Sequence, residues 1–216
     1  VTEQVSRISR DIQKRVTDTR MAPVGPLFER FQRVIRDISR DTGKDVHVNI
    51  EGSTIKLDRR IVEELGDPLL HMARNSADHG IESPEERIAT GKPLQGQVTL
   101  AAVQHGNRIF VQVRDDGRGL DPENILAQAI RKGIVTSAEA EHLSRLEVFQ
   151  LVWTPGFSTA EQITEISGRG VGMDIVKSKI EGIGGTVELD STLGVGTTIT
   201  IELPPSATAP STPCRQ

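Results

Sequence analysis

The sequence predicts an α+β fold: a mixed, mainly antiparallel sheet with helices layered on one face, an α/β two-layer sandwich. Three observations predict it. Short strand-like runs are joined by short connections, which favours antiparallel pairing. Helical stretches do not alternate strictly with the strands, the pattern of one sheet with helices layered on one face. At 216 residues, 36% hydrophobic and 26% charged, the chain is long enough for one sizeable core.

In chain order, Val1, Val5, Ile8, Ile12 and Val16 recur at three- and four-residue spacing, an apolar stripe on a first helix. That helix either packs on its own domain or is half of a helical hairpin. "MAPVGP" breaks it at Pro23. A second helix follows, with Leu27, Phe31, Val34 and Ile38 on one face and Gly43 closing it. "DVHVNIE" alternates as a strand with Val46, Val48 and Ile50 on one side. A third helix is expected from Arg59 to His79, N-capped by Asp58. The charged, Pro- and Gly-containing "GIESPEERIATGKPLQG" reads as a loop. "QVTLAAV" and "RIFVQVRD" flank an "HGN" turn and make a hairpin. "DPENILAQAIRKG", "TSAEAEHLSRLEVFQLVW" and "GMDIVKSKIEGIG" read as helices, and "TVELDS" and "TTITIEL" as two last strands. "PPSATAPSTPCRQ" is a Pro/Ser/Thr-rich tail, expected to be disordered.

A formal net charge of −4 argues against a general nucleic-acid surface. No apolar run approaches the roughly 20 residues that span a bilayer, and no signal peptide is visible. The single cysteine, Cys214, can form no internal disulfide, which suits a cytoplasmic setting. The chain opens at Val1 without Met, as a fragment of a longer protein would.

Four stretches carry chemistry. On the third helix His71, Asn75 and Asp78 or His79 fall at i, i+4 and i+7 or i+8, on one face. They are either ordinary polar surface or a Mg²⁺–phosphate site, in which an Asn oxygen completes a shell of phosphate oxygens and waters. The HExxH or cysteine spacing of a zinc site is lacking. In "VQVRDDGRGL" Asp115 ends a strand, and Gly117 and Gly119 allow close backbone approach. The stretch is either a strand-to-turn junction or a base site. A buried carboxylate there would accept a hydrogen bond from an adenine amino group and reject guanine, which offers a carbonyl. "GRGVGMDIVKSKI" sets Gly168, Gly170 and Gly172 before a helix, where free backbone N–H groups attract phosphate. It is neither a Walker nor a Rossmann pattern. "WTPGFSTAEQITEISGRG", with Phe157 expected exposed, reads as a lid with glycine hinges or as a surface loop.

Taken in order, "RNSADHGIESPEER", "DDGRGL", "TPGFST", "SGRGVGMDIVK" and a closing GxGTT resemble the ATP-binding domain of histidine kinases, in the superfamily shared with DNA gyrase, the MutL repair proteins and the ninety-kilodalton heat-shock chaperone. The wording is similar to the chemotaxis kinase family CheA, and "TRMAPVGPLFERFQRVIRDIS" resembles the junction entering its catalytic domain. The resemblance covers residues 1–204 and implies a Bergerat-type ATP-binding fold over 21–204, a dimerisation remnant at 1–20 and a tail or linker at 205–216.

It implies that Asp115 accepts the adenine amino group, with Gly117 and Gly119 shaping the pocket floor, and that Asn75 holds Mg²⁺. His71, where gyrase-like ATPases place a water-activating Glu, would orient or activate phosphoryl transfer. Arg74, Asp78 and His79 would line the phosphate and ribose side. Ser158, Thr159, Gly168, Gly170, Gly172 and Met173 would build the lid and phosphate cradle. Gly194, Gly196 and Thr197 match the last glycine box, with Thr197 reinforcing the adenine site.

The implied cofactors are ATP and Mg²⁺. The implied partner is a histidine phosphotransfer domain, in trans or from a missing N-terminal region, and beyond it a response regulator. A dimer would require complete dimerisation helices. His47, His105 and His142 read as structural or solvated: on a strand, in a turn and on a surface helix. The rival readings are a hydrolytic ATPase of the same superfamily and a non-enzymatic nucleotide-binding module.

Overall fold

The computed structural model describes residues 19–157 and 172–204. The expected first helix over 1–20 (but for its last two residues), residues 158–170 of the expected lid, and the tail over 205–216 lie outside the described residues.

Short strands β1 (Met21–Pro23) and β3 (Lys56–Asp58) pair antiparallel. Between them lie α1 (Gly25–Thr42) and β2 (Val46–Glu51). Next come α2 (Arg59–Asn75), a π-helical turn (Ser76–Gly80) and α3 (Pro84–Ala89). The hairpin β4 (Gly96–His105) and β5 (Arg108–Asp115) leads to α4 (Pro122–Arg131), α5 (Ser137–Ala140), α6 (Arg145–Gln150) and a 3₁₀ turn (Leu151–Trp153). Helix α7 (Met173–Gly182) and strands β6 (Thr186–Thr192) and β7 (Gly196–Leu203) complete the described chain.

The main sheet runs β2-β4-β5-β7-β6. Its β2–β4 pair is parallel and every other neighbouring pair antiparallel. Residues directly opposite one another share a face. One face therefore carries two apolar rows: Leu100, Val113, Ile199 and Leu189, then Ala102, Val111, Ile201 and Val187. Against it lie α1, α2 and α7, contributing Phe28, Phe31, Ile35, Leu65, Leu69, Met72, Val176 and Ile180. The opposite face is polar: Gln112 donates to the Thr200 hydroxyl at 3.1 Å, and Arg114 pairs with Glu51 at 2.9 Å.

The α1 stripe is rotated from its expected position. Phe28, Phe31 and Ile35 are the buried residues, with Leu27, Val34 and Ile38 half-buried at its margin. Gly43 closes the helix in the left-handed region, at φ 67°. Asp58 caps α2 as expected, accepting from the Arg60 N–H at 2.9 Å. Pro68 lies inside α2 with its ring buried.

The stretch read as one helix over "TSAEAEHLSRLEVFQLVW" is broken in two. Thr136 and Ser144 each open a capping box, with Glu139 and Glu147 reaching back to the cap N–H. His142 consequently sits in the turn between them, and His105 ends β4 instead of lying in the hairpin turn. The segment read as a charged loop contains α3, opened by the Ser83/Glu86 capping box.

Phe31 is fully buried where α1 meets the core. Phe31→Ala is expected to cost about 3–5 kcal/mol, measured by urea or guanidinium unfolding. A loss below about 1 kcal/mol would mean that α1 does not close this layer.

Candidate active site

A third row continues the core face of the sheet: Val98, Asp115, Thr197 and Ser191. Here the pleat places a carboxyl and two hydroxyls where the rows above carry aliphatic groups. Asp115 Oδ2 accepts from the Ser76 hydroxyl at 2.8 Å, and Oδ1 accepts from the Gly117 N–H at 3.1 Å. Burial pushes the Asp115 carboxyl above its ordinary range, while hydrogen bonds from Ser76, Gly117 and the Thr197 backbone pull it back. The Thr197 hydroxyl lies 3.0 Å from that of Ser191, which is buried, donates to the Gly196 carbonyl at 3.0 Å and accepts from the Leu120 N–H at 2.8 Å.

Two glycines are required by contact. A Cβ on Gly117 would stand 2.1 Å from the Gly80 carbonyl oxygen and 2.9 Å from Asp115 Oδ1. Gly119, at φ 68°, would place one 2.2 Å from the Thr192 carbonyl oxygen. These approaches let Arg118 donate its N–H to the Gly80 carbonyl at 2.9 Å and accept from the Gly194 N–H at 2.7 Å. The DDGRG turn is thus tied to the end of α2 on one side and to the β6–β7 turn on the other.

The α2 residues separate by face. His71, Arg74 and Asn75 are half-buried, whereas Met72, Ala73 and Ser76 are buried. After Asn75 the helix widens into the π turn, closed by the Ile81 N–H on the Ser76 carbonyl at 2.8 Å. The simple i+7 and i+8 spacing is lost there. Asp78 is half-buried and His79 exposed, with His79 Nε2 3.7 Å from Asp78 Oδ2. Burial, followed by the charges of Arg74 and His79, lowers the His71 pKa. At neutral pH its imidazole is neutral and able to accept a proton.

Across from these residues α7 begins at Gly172, with Met173 buried. Asn75 Nδ2 donates to the Met173 sulfur at 3.6 Å, so the amide carbonyl faces away from that bond. One neutral oxygen beside a helix N-terminus fits a magnesium ion that takes most of its ligands from phosphates and water. Among the described residues no group of three or more His, Cys, Asp or Glu could hold a metal by itself. Ser158, Thr159, Gly168 and Gly170 lie outside the described residues. Phe157 is buried, contrary to expectation, and its carbonyl and that of Gly156 accept from Lys132 at 2.9 and 3.0 Å.

Sequence reasoning missed several residues. Ser76 follows Leu65, Leu69 and Met72 in the buried stripe of α2, and a hydroxyl in an apolar stripe is a readable sign of a buried partner. Ser191 interrupts the Val187–Leu189 alternation in the same way. Lys44, just after α1, donates to the Ala77 and Asp78 carbonyls, and burial lowers its pKa. Arg87 is almost fully buried, bridging Glu82 at 2.9 Å and Asp116 at 2.8 Å.

The His71 shift fixes a pH dependence. The unfolded imidazole takes up a proton more readily than the folded one, so stability is full above about pH 6.5 and is lost as pH falls below it. His71→Gln should flatten the fall of melting temperature between about pH 7 and 5. An unchanged slope would mean that another group carries it.

Residues 64–207 match the family model described as histidine kinase-, DNA gyrase B- and HSP90-like ATPase. The chain is 48% identical over 94% of its length to the sensor histidine kinase CheAY of Helicobacter pylori. To the chemotaxis protein CheA it is 46% identical in Bacillus subtilis, over 94% of the chain, and 47% in Salmonella typhimurium, over 93%. It spans 25% of the first relative and 30% of the other two. In fold it is similar to the catalytic domain of histidine kinase ThkA (TM-score 0.53, 14% identity, 87% of this chain and 95% of that one). It is also similar to the mycobacterial sensor histidine kinase MprB (TM-score 0.52, 19% identity, 87% and 99%). With a carboxylate set into the core face of its sheet and this match over two thirds of its length, the chain belongs to the family of histidine kinase-, DNA gyrase B- and HSP90-like ATPases.

Proposed function

We propose that this chain is the ATP-binding catalytic domain of a CheA-type histidine kinase. It binds Mg·ATP and passes the γ-phosphoryl group to a histidine on a separate phosphotransfer domain, feeding a response regulator. The observation that carries this reading is the Asp115 carboxyl. It is half-buried on the core face of the sheet, bonded to Ser76 and Gly117, with spare acceptor capacity toward a base amino group. The similarity to named CheA proteins supports the substrate and the partner class.

In this reading Asp115 accepts from the adenine 6-amino group, and Gly117 and Gly119 keep the floor free of side chains. Thr197, bonded to Ser191, supports the same edge of the base. Asn75 holds Mg²⁺, which neutralises charge on the phosphates during in-line transfer. Arg74, Asp78 and His79 line the ribose and phosphate side, and the α7 N-terminus at Gly172 and Met173 offers backbone N–H groups to phosphate. Ser158, Thr159, Gly168 and Gly170 complete the cradle from the segment between. His71, neutral at working pH, orients the transfer. With an imidazole where a hydrolytic ATPase would carry a carboxylate base, transfer to a protein acceptor is favoured over transfer to water.

Asp115→Asn tests the base site. The amide is isosteric and can keep the Gly117 bond through its oxygen, with the Ser76 hydroxyl turning to accept from its NH2 group, but it lacks a charged acceptor. Hydrogen bonds to charged groups are worth about 1.5–3 kcal/mol, so ATP affinity by calorimetry should fall roughly tenfold or more. The carboxyl's raised pKa means that it is favoured in the fold when protonated, so its charge costs stability at neutral pH. The variant should therefore melt no lower than the parent. Unchanged affinity would remove Asp115 from the site. Asn75→Ala should impair Mg²⁺-dependent phosphorylation of a histidine phosphotransfer domain more than it impairs nucleotide binding. Transfer at the parent rate would refute the metal assignment.

A further inference from the structure

Against the DDGRG turn four charged side chains close on one another. Arg87 is 1% exposed and Glu82 5%. The Arg87 fork donates to Glu82 Oε2 at 2.9 Å, to Asp116 Oδ2 at 2.8 Å and to Asp116 Oδ1 at 3.3 Å. Its remaining donors reach the carbonyls of Pro93 and Gln95. The Lys92 ammonium, its side chain 16% exposed, donates to Glu82 Oε1 at 2.7 Å, to the Asp116 carbonyl at 2.8 Å and to the Gly117 carbonyl at 2.7 Å. An ammonium has three donors, and here all three are used. Asp116 Oδ1 also accepts from the Gln97 N–H at 2.8 Å, fixing the turn to β4.

The quartet carries two positive and two negative groups: Arg87 and Glu82 are buried, and Lys92 and Asp116 are partly exposed. Such clusters add little net stability over well-packed apolar residues, because desolvation offsets their attraction. What this one supplies is direction. It grips the side chain of Asp116 and the carbonyls of Asp116 and Gly117, the residues on which the orientation of Asp115 depends. Gly117 itself donates to Asp115 Oδ1, so a rotation of its peptide would take away one of the bonds aiming that carboxyl.

We infer that Lys92 and Arg87 are positioning residues for purine selection: acting through the Asp116–Gly117 turn, they hold the Asp115 carboxylate at the angle that accepts an adenine amino group and rejects a guanine carbonyl. This rests on the base-site reading of Asp115 given above. Neither cation touches nucleotide. Their contribution is to selectivity between bases, which general loosening of the fold would not alter.

The test compares Mg²⁺-dependent binding of ADP and GDP by calorimetry, with GDP also measured by competition. The proteins are the unaltered chain, Lys92→Met, Glu82→Gln and Asp115→Asn, each with its melting temperature. Lys92→Met should weaken ADP roughly tenfold and leave GDP unchanged, so that the ADP/GDP preference falls by about the same factor. Amide hydrogen exchange at Gly117 and Arg118 should quicken while β4 and β7 stay protected. Glu82→Gln, which weakens the hold on Lys92 without removing it, should shift the preference in the same direction by less. It also covers the case in which Lys92→Met fails to fold. Equal weakening of both nucleotides, or an unchanged preference in the folded variants, would overturn the positioning role while Asp115→Asn still loses ADP. If Asp115→Asn binds ADP like the parent, the base-site reading falls, and the positioning role falls with it.

Discussion

The structure is organised around a carboxyl in a place that the pleat reserves for apolar groups. Strand β5 alternates Ile109, Val111 and Val113 into the core, and the next inward position is Asp115. A buried carboxyl without partners is costly. The surroundings of Asp115 are accordingly polar: Ser76 from the end of α2, the Gly117 N–H from its own turn, and Thr197 and Ser191 in the neighbouring strands. Several otherwise separate features follow from it. Gly117, which lets the turn approach Gly80, the serine in the α2 stripe and the buried serine of β6 all serve one polar row at the end of an aliphatic sheet face.

Around this row the protein combines a rigid frame with a sparse set of reactive groups. The frame is the apolar layer between the sheet and α1, α2 and α7. The polar groups His71, Arg74 and Asn75 are half-buried on one helix and carry few bonds to the rest of the protein. In the proposed function these residues meet a charged, removable ligand, a role that such spare capacity suits. Arg87 and Lys92, proposed to aim others, are saturated.

Much of this was legible in the sequence, unevenly. The strands of the main sheet, the hairpin, the Asp58 cap and the Gly43 stop follow from alternation and from local chemistry that acts within a few residues. The roles proposed for Asp115 and Asn75 rest on motif order, since neither residue stands out alone. The parallel β2–β4 pair was hidden because its connection contains two helices and a further short strand. The α1 stripe was misplaced by a fraction of a turn because Leu27, Val34 and Ile38 are apolar yet marginal. The least legible part was "GIESPEERIATGKPLQG". Its charge and prolines look like solvent-facing loop, and only tertiary pairing with Asp116 shows that Arg87 is buried.

The π turn after Asn75 has a consequence for chain length. A π turn holds one more residue than the α-helical turn it replaces. Removing a residue between Ser76 and Gly80 would let the helix run on regularly and swing every following position by about 100° around its axis, given roughly 3.6 residues per turn. Gly80 would then leave the Arg118 N–H that its carbonyl meets. Homologous sequences should therefore vary freely in composition on the outer side of this segment, yet resist insertions and deletions within it.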